Sequence, residues 1–345
     1  RLMHWKWKKR CIIANDSGSF QTKSWSLPWE ASKHGEFIKK LELIGHSTIP
    51  LPCVYLHQNT NDLVDVELEN EVSYRMSLPF KDIISNPALF FKDVEHLGAS
   101  EKYLNGLIYN DEGKIRFDGL FYAKDIGDVI KLINEQTIVE QSIKLGEQSA
   151  VQQLVVYKIP NESVRAKLAS LFQEIWNMRI FDINTQIASK WIVQMPDGTR
   201  TSLLPWRACL YSNLIPVLVT NHIIHNKYFA PYYNFMLNDL FNMQQEPSNK
   251  KNEIELWMFI DEIHSLFNHA GVFNKLKEIA KQSRPNRVAF VYATQYFGDI
   301  SPDIELITDY IISFQQTRVE GKKVLDNFDS MRHQVNQIRM LPKYH

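Results

Sequence analysis

Residues 256–267 read Leu-Trp-Met-Phe-Ile-Asp-Glu-Ile-His-Ser-Leu-Phe, running from Leu256 to Phe267. Five consecutive apolar residues bounded by polar ones are short for a helix and suit a strand. The absence of alternation predicts burial on both faces, as in a parallel sheet. The run stops at Asp261-Glu262, and helical spacing takes over from about Ile263 to Lys281, interrupted near Gly271. A second apolar run, Val288 to Tyr292, then ends in Ala293-Thr294-Gln295. Strand, helix, strand is the order of an α/β protein with a mainly parallel sheet, because parallel neighbours need a crossover between them.

The same grammar extends outward. Upstream, Ile215 to Val219 is an apolar strand candidate, and Phe229, Tyr232, Tyr233, Met236, Leu237, Leu240 and Phe241 follow helical spacing on one face. Cys11 to Asn15 is a short buried run that delivers Asp16 at its tip before a Gly18 turn. Pro50 and Pro52 precede a further strand at Cys53 to Leu56, and Tyr310 to Phe314 supplies the last. The strands near 11–15, 215–219, 256–260, 288–292 and 310–314 are expected side by side. Residues 59–209 read as a mainly helical insertion, with helices from Ser77 to Leu107, Ile126 to Ile143 and Ser163 to Met178. It also carries a strand at Leu154 to Tyr157, and hairpins around Asn110–Gly113 and Pro196–Thr199.

Composition narrows the function classes. The chain has 345 residues, with 39 Lys+Arg against 39 Asp+Glu, and is 44% hydrophobic. That is ample for a core, and it excludes a disordered chain or a histone-like basic binder. Any polyanion contact has to come from a local patch. The opening RLMHWKWKKR is one such run; it either stacks on and neutralises a nucleic-acid backbone or forms a solvated helix end. No apolar run approaches the roughly 18–20 residues of a membrane span, and no secretory h-region is present. Cys11, Cys53 and Cys209 are far apart, which favours cytosolic thiols over disulfides or a structural zinc.

Two acids at the carboxyl end of a buried strand are the arrangement of a Walker B motif. There the Asp sits beside a phosphate-bound magnesium and the Glu polarises the attacking water. The alternative is that Asp261 caps the next helix and Glu262 supports its dipole. Gln295, at the end of the following strand, can touch a γ-phosphate or the attacking water, or be an ordinary polar strand end. Arg284 and Arg287 lie in the turn between the two; they are either solvated or meet a neighbouring subunit's nucleotide. Asp261-Glu262-Ile263-His264 also fits a D-E-x-H helicase box, but the companion S-A-T and Q-x-x-G-R-x-G-R motifs do not occur. His222 and His225 have metal-compatible spacing without acidic or cysteine partners, and fit a helix-entry pair.

Taken in order, IIANDSGSF, IPVLVTNHII, LWMFIDEIHSLF, SRPNRVAFVYATQ, DYIISF and the closing LPKYH resemble the RecA-like motor core of the HerA/FtsK superfamily. That group includes the ATPases of conjugation and type IV secretion. The resemblance covers residues 1–58 and 210–345. It implies a RecA-like P-loop NTPase core, ATP and Mg2+ as cofactors, and a homo-oligomeric ring, most simply a hexamer. DNA is the implied cargo, and the implied setting is cytoplasmic, at the face of a membrane-associated secretion or conjugation machine. Asp261 would serve the Mg2+, Asp16 would lie at the end of the strand after the P-loop helix, and Glu262, Gln295 and Arg284 or Arg287 would act in hydrolysis.

One departure is plain. No G-x-x-x-x-G-K-[ST] occurs, since Gly113-Lys114 and Gly321-Lys322 lack both the glycine spacing and the hydroxyl. In the family that loop comes just before the strand matched by Cys11 to Asn15, and the chain opens on Arg1. The expectation is that the loop lies upstream in a longer polypeptide. Two readings remain: an ATP-driven ring motor, or a non-hydrolysing member of the same fold acting as an assembly or docking subunit.

Overall fold

The computed structural model of the chain describes residues 4, 9–16, 31–43, 45, 49, 51–58, 73–79, 99–110, 112–135, 138–143, 154–158, 161–177, 181–182, 191–195, 197–220, 227–246, 256–283, 285–294 and 308. In chain order these form β1 (Arg10–Asp16), α1 (Ala31–Leu43), β2 (Cys53–Gln58), β3 (Ser73–Met76), β4 (Leu78–Pro79), α2 (Ala99–Ile108), α3 (Ile126–Glu135) and β5 (Ile138–Ile143). Then come β6 (Leu154–Lys158), α4 (Glu162–Asn177), β7 (Phe181–Asp182), β8 (Trp191–Gln194), β9 (Arg200–Leu203) and α5 (Pro205–Tyr211). The last elements are β10 (Ile215–Val219), α6 (Phe229–Gln245), β11 (Leu256–Ile260), α7 (His264–Phe267), α8 (Ala270–Lys281) and β12 (Val288–Tyr292). The protein is of the α/β class with parallel strand pairing. It divides into two compact units, Arg1–Leu51 with Leu237–His345, and Pro52–Met236.

In the first unit the strand order is β12, β11, β1, and both pairings are parallel. Leu256 stands opposite Val288 and Ile260 opposite Tyr292, so β11 and β12 start and end flush. Against β1 the register slips: Ile13 faces Phe259 but Asn15 faces Ile260, leaving Ala14 as an extra residue. Such a bulge re-aims the residues beyond it. Cys11, Ile12, Ile13 and Ala14 are all buried, whereas β11 alternates, with Leu256, Met258 and Ile260 buried and Trp257 and Phe259 half-buried. The expected burial on both faces is therefore only partly met. In α8, Val272, Leu276 and Ile279 form a buried stripe at helical spacing. The helical break falls at Asn268-His269, not at Gly271, which lies inside α8. His269 is extended, at φ −109° and ψ 94°, and it ends one helical run before the other begins.

In the second unit β10, β2 and β3 lie in that order and are parallel. All five residues of β10 are buried, and α5 packs on β10 and β2. Its Trp206, fully buried, meets the Phe235 ring edge-on at 6.4 Å. Helix α4 packs against α2 and α3.

Three expectations in this region are corrected. Leu78–Pro79 is extended, not helical, and pairs in parallel with Phe181–Asp182; a proline is tolerated in so short a pairing because no ladder N–H is required of it. The described helix there begins only at Ala99. The helix from Ile126 ends at Glu135, and Ile138–Ile143 pairs antiparallel with Leu154–Lys158. Ile138, Val139 and Ile143 are β-branched and fit a pleated surface better than a helical turn. Around Asn110 the hairpin shrinks to a single Tyr109–Ile115 bridge, closed by the Asn110 side chain accepting from the Glu112 and Lys114 N–H groups. The hairpin at 196–199 is present as β8 and β9, turning at Gly198 with φ 84°. Asp197 accepts from the Thr199 hydroxyl and N–H, which holds its carboxyl below the usual range. No helix among the described residues is long and apolar enough to cross a membrane. The strand expected at 310–314 and the closing LPKYH lie outside the described residues.

Candidate active site

Parallel pairing brings the carboxyl ends of β1, β11 and β12 to one edge, the edge where open α/β sheets gather ligands. Asn15 faces Ile260, so Asp16 on β1 and Asp261 after β11 are the next residues out. Ile260 faces Tyr292, and Ala293-Thr294 lead out of β12. The ladder runs on past the strand ends. Ala293 N–H donates to the Ile260 carbonyl at 2.9 Å, and Ile263 N–H donates to the Ala293 carbonyl at 3.0 Å. Asp261-Glu262 is thus a two-residue step out of β11 and back onto the exit of β12. Ile263 and Leu266, 2% and 0% exposed, anchor the far side of the step.

A step this tight demands unusual backbone. Glu262 has φ 47°, in the left-handed region, although it carries a Cβ. That conformation costs about 1–2 kcal/mol, and residues held so tend to cluster at functional sites. Its carbonyl accepts the Ser265 N–H at 2.9 Å, and that of Ile263 accepts the Leu266 N–H at 3.0 Å. The helix beyond the step has Ile263 at its cap position, with no capping side chain.

Asp261 and Glu262 are both half-buried. Glu262 Oε2 lies 3.1 Å from His264 Nδ1, with side chains 20% and 37% exposed. The two atoms are close but lack the alignment of a good hydrogen bond. Thr294 is half-buried at the exit of β12. Gln295 and Arg284 lie outside the described residues, as do His222 and His225, and only the backbone of Asp16 is described.

Arg287 sits at the other edge of this sheet. Its carbonyl accepts the N–H of Leu256, the first residue of β11, at 3.1 Å, and it too has a left-handed backbone, φ 57°. Five strand residues separate it from Ala293, roughly 16 Å at 3.3 Å per residue. The turn before it is knitted by the Asn286 amide donating to the Gln282 carbonyl at 2.8 Å and by Val288 N–H donating to the Ser283 carbonyl at 3.0 Å.

The donor set at the Asp261 edge can be tested against magnesium. Among the described residues no group of three or more His, Cys, Asp or Glu could cage a metal. Magnesium needs no such cage, since it keeps several waters and takes one or two carboxylates plus substrate phosphates. Asp261 with Glu262 fits the metal-and-water side of such a site. The phosphate side of such a site is commonly a G-x-x-x-x-G-K-[ST] loop, a motif that does not occur in the sequence.

His264 is the contact that spacing alone does not reveal. Residues two apart on a helix point away from one another, and only the left-handed step at Glu262 brings the pair together. No family model matches the chain, and no curated protein matches it.

Proposed function

We propose that the Asp261–Glu262 edge is the magnesium-and-water side of an ATP-hydrolysing site, within a RecA-like ring motor of the HerA/FtsK kind that moves DNA. The observation that carries this reading is the two-carboxylate step at the carboxyl end of β11, flush with the ends of β1 and β12. Asp261 would hold a magnesium that arrives with the nucleotide, which neutralises developing phosphate charge. Glu262 would take the proton of the attacking water, a role that needs an ionised carboxylate at fixed distance from the phosphate. Arg287 is about a strand length from that edge, so a phosphate it reached would belong to a neighbouring subunit. The reading requires a phosphate cradle, and no G-x-x-x-x-G-K-[ST] loop occurs in the sequence.

That last requirement supports a second reading. Without a cradle the same fold would bind no nucleotide and would serve as a docking or assembly subunit. Equilibrium binding of a fluorescent ATP analogue to the full chain, with and without magnesium, separates the two. The motor reading expects magnesium-dependent binding that Asp261→Ala weakens by 10-fold or more. Absence of binding in the wild-type protein would select the docking reading.

A further inference from the structure

We propose that His264 is a positioning residue for Glu262, holding its carboxylate in the orientation that acts on water. This inference rests on the hydrolytic reading of the Asp261–Glu262 edge and adds a residue to it.

A glutamate carboxylate sits beyond three rotatable bonds, and a general base is effective only when held close to one geometry. At Glu262 the backbone is already restrained by the left-handed φ of 47° and by the Ser265 N–H donating to its carbonyl. On the side chain, Oε2 lies 3.1 Å from His264 Nδ1, and that contact is the restraint assigned to His264.

The backbone that carries His264 is well anchored. It begins α7, between Ile263 and Leu266, which are buried at 2% and 0% exposure. The imidazole is therefore carried by a turn whose apolar residues lock it to the core, and it lies on the same short step as the carboxylate. The contact comes from Nδ1, the ring nitrogen nearer the backbone. This makes the proposal specific, because an asparagine amide occupies nearly the place of Nδ1 while a glutamine amide reaches the place of Nε2.

The test uses the full chain and three variants, His264→Ala, His264→Asn and His264→Gln, beside Glu262→Gln. ATP turnover is followed over a range of ATP concentrations. The expectation is that His264→Ala lowers kcat about 10-fold with KM changed less than twofold, since a misplaced base costs chemistry and not binding; effects up to about 100-fold are typical of lost positioning. His264→Asn should recover most of the rate and His264→Gln should not. A readout without nucleotide accompanies it. Melting temperatures of Glu262→Gln, His264→Ala and the double variant should be non-additive by about a degree, as for two side chains in contact near the surface.

Each result decides something. If Glu262→Gln abolishes turnover while His264→Ala turns over like wild type, the positioning role is wrong and the hydrolytic site stands. Equal rates in His264→Asn and His264→Gln, or strictly additive melting shifts, also overturn it. If the wild-type protein does not hydrolyse ATP, or Glu262→Gln hydrolyses normally, the hydrolytic reading itself fails and the role of His264 falls with it.

Discussion

Replacing Glu262 by glycine should leave a more stable protein than replacing it by alanine, against the usual order. Both substitutions remove the carboxylate and its 3.1 Å contact with His264, so those losses cancel in the comparison. What remains is the backbone. At φ 47° a Cβ costs about 1–2 kcal/mol, which glycine does not incur. Glycine gives back about 0.4–1 kcal/mol because its unfolded chain has more freedom to lose. The balance favours glycine by about 1 kcal/mol, or about 2 °C in melting temperature for a protein of this size. Glu278 provides the control, since it lies in α8 with its side chain 57% exposed. There glycine should be worse than alanine by about 1 kcal/mol. The assay is calorimetry on the four variants side by side. If alanine equals or exceeds glycine at position 262, the strained step at the end of β11 is not a property of the protein in solution.

Either Arg284→Ala or Arg287→Ala subunits should lose hydrolysis, and that variant should partly recover when mixed with an excess of Glu262→Gln subunits. A finger acting in trans is worth on the order of 10³–10⁵ in rate; wild-type hydrolysis by both arginine variants alone would reject it. Burial pushes the Cys11 and Cys209 thiols from 9.0 up to about 11 and about 12. Below pH 9 both folded and unfolded thiols keep their protons. Above it only the unfolded ones lose them, so stability falls as pH rises. At pH 10.5 each thiol should cost on the order of 2 kcal/mol, and Cys209→Ala should melt with a flatter alkaline slope than wild type; an equal slope would contradict this. All three cysteines are buried and out of reach of reagent, so they should resist alkylation at pH 8 until the protein is unfolded, as a timed thiol titration would show.

How far each segment is legible in the sequence depends on its own physics. Ile215–Val219, Leu256–Ile260 and Val288–Tyr292 are apolar runs of strand length bounded by polar residues, and each is a strand. Residues 229–241 place their apolar side chains on one helical face, and α6 covers them. Ile138–Ile143 escaped because a segment as short as IVEQSI, joined to a strongly amphipathic α3, shows no period of its own. Leu78–Pro79 escaped because its pairing with Phe181–Asp182 depends on residues about a hundred positions away, and such long-range partners leave no local pattern. The acids of the candidate site were legible as the tip of a buried strand. The left-handed turn at Glu262 was not, since no glycine or asparagine marks it. With that turn hidden, the approach of His264 was hidden too.

Single-turnover and steady-state ATP hydrolysis by the full chain carrying Glu262→Gln decides whether the Asp261–Glu262 edge is a hydrolytic site. If the carboxylate acts on water and not on the nucleotide, affinity should stay within about threefold of wild type. Turnover should then fall by 10²-fold or more, on the scale of lost general-base catalysis. Turnover equal to wild type in Glu262→Gln would contradict the hydrolytic reading.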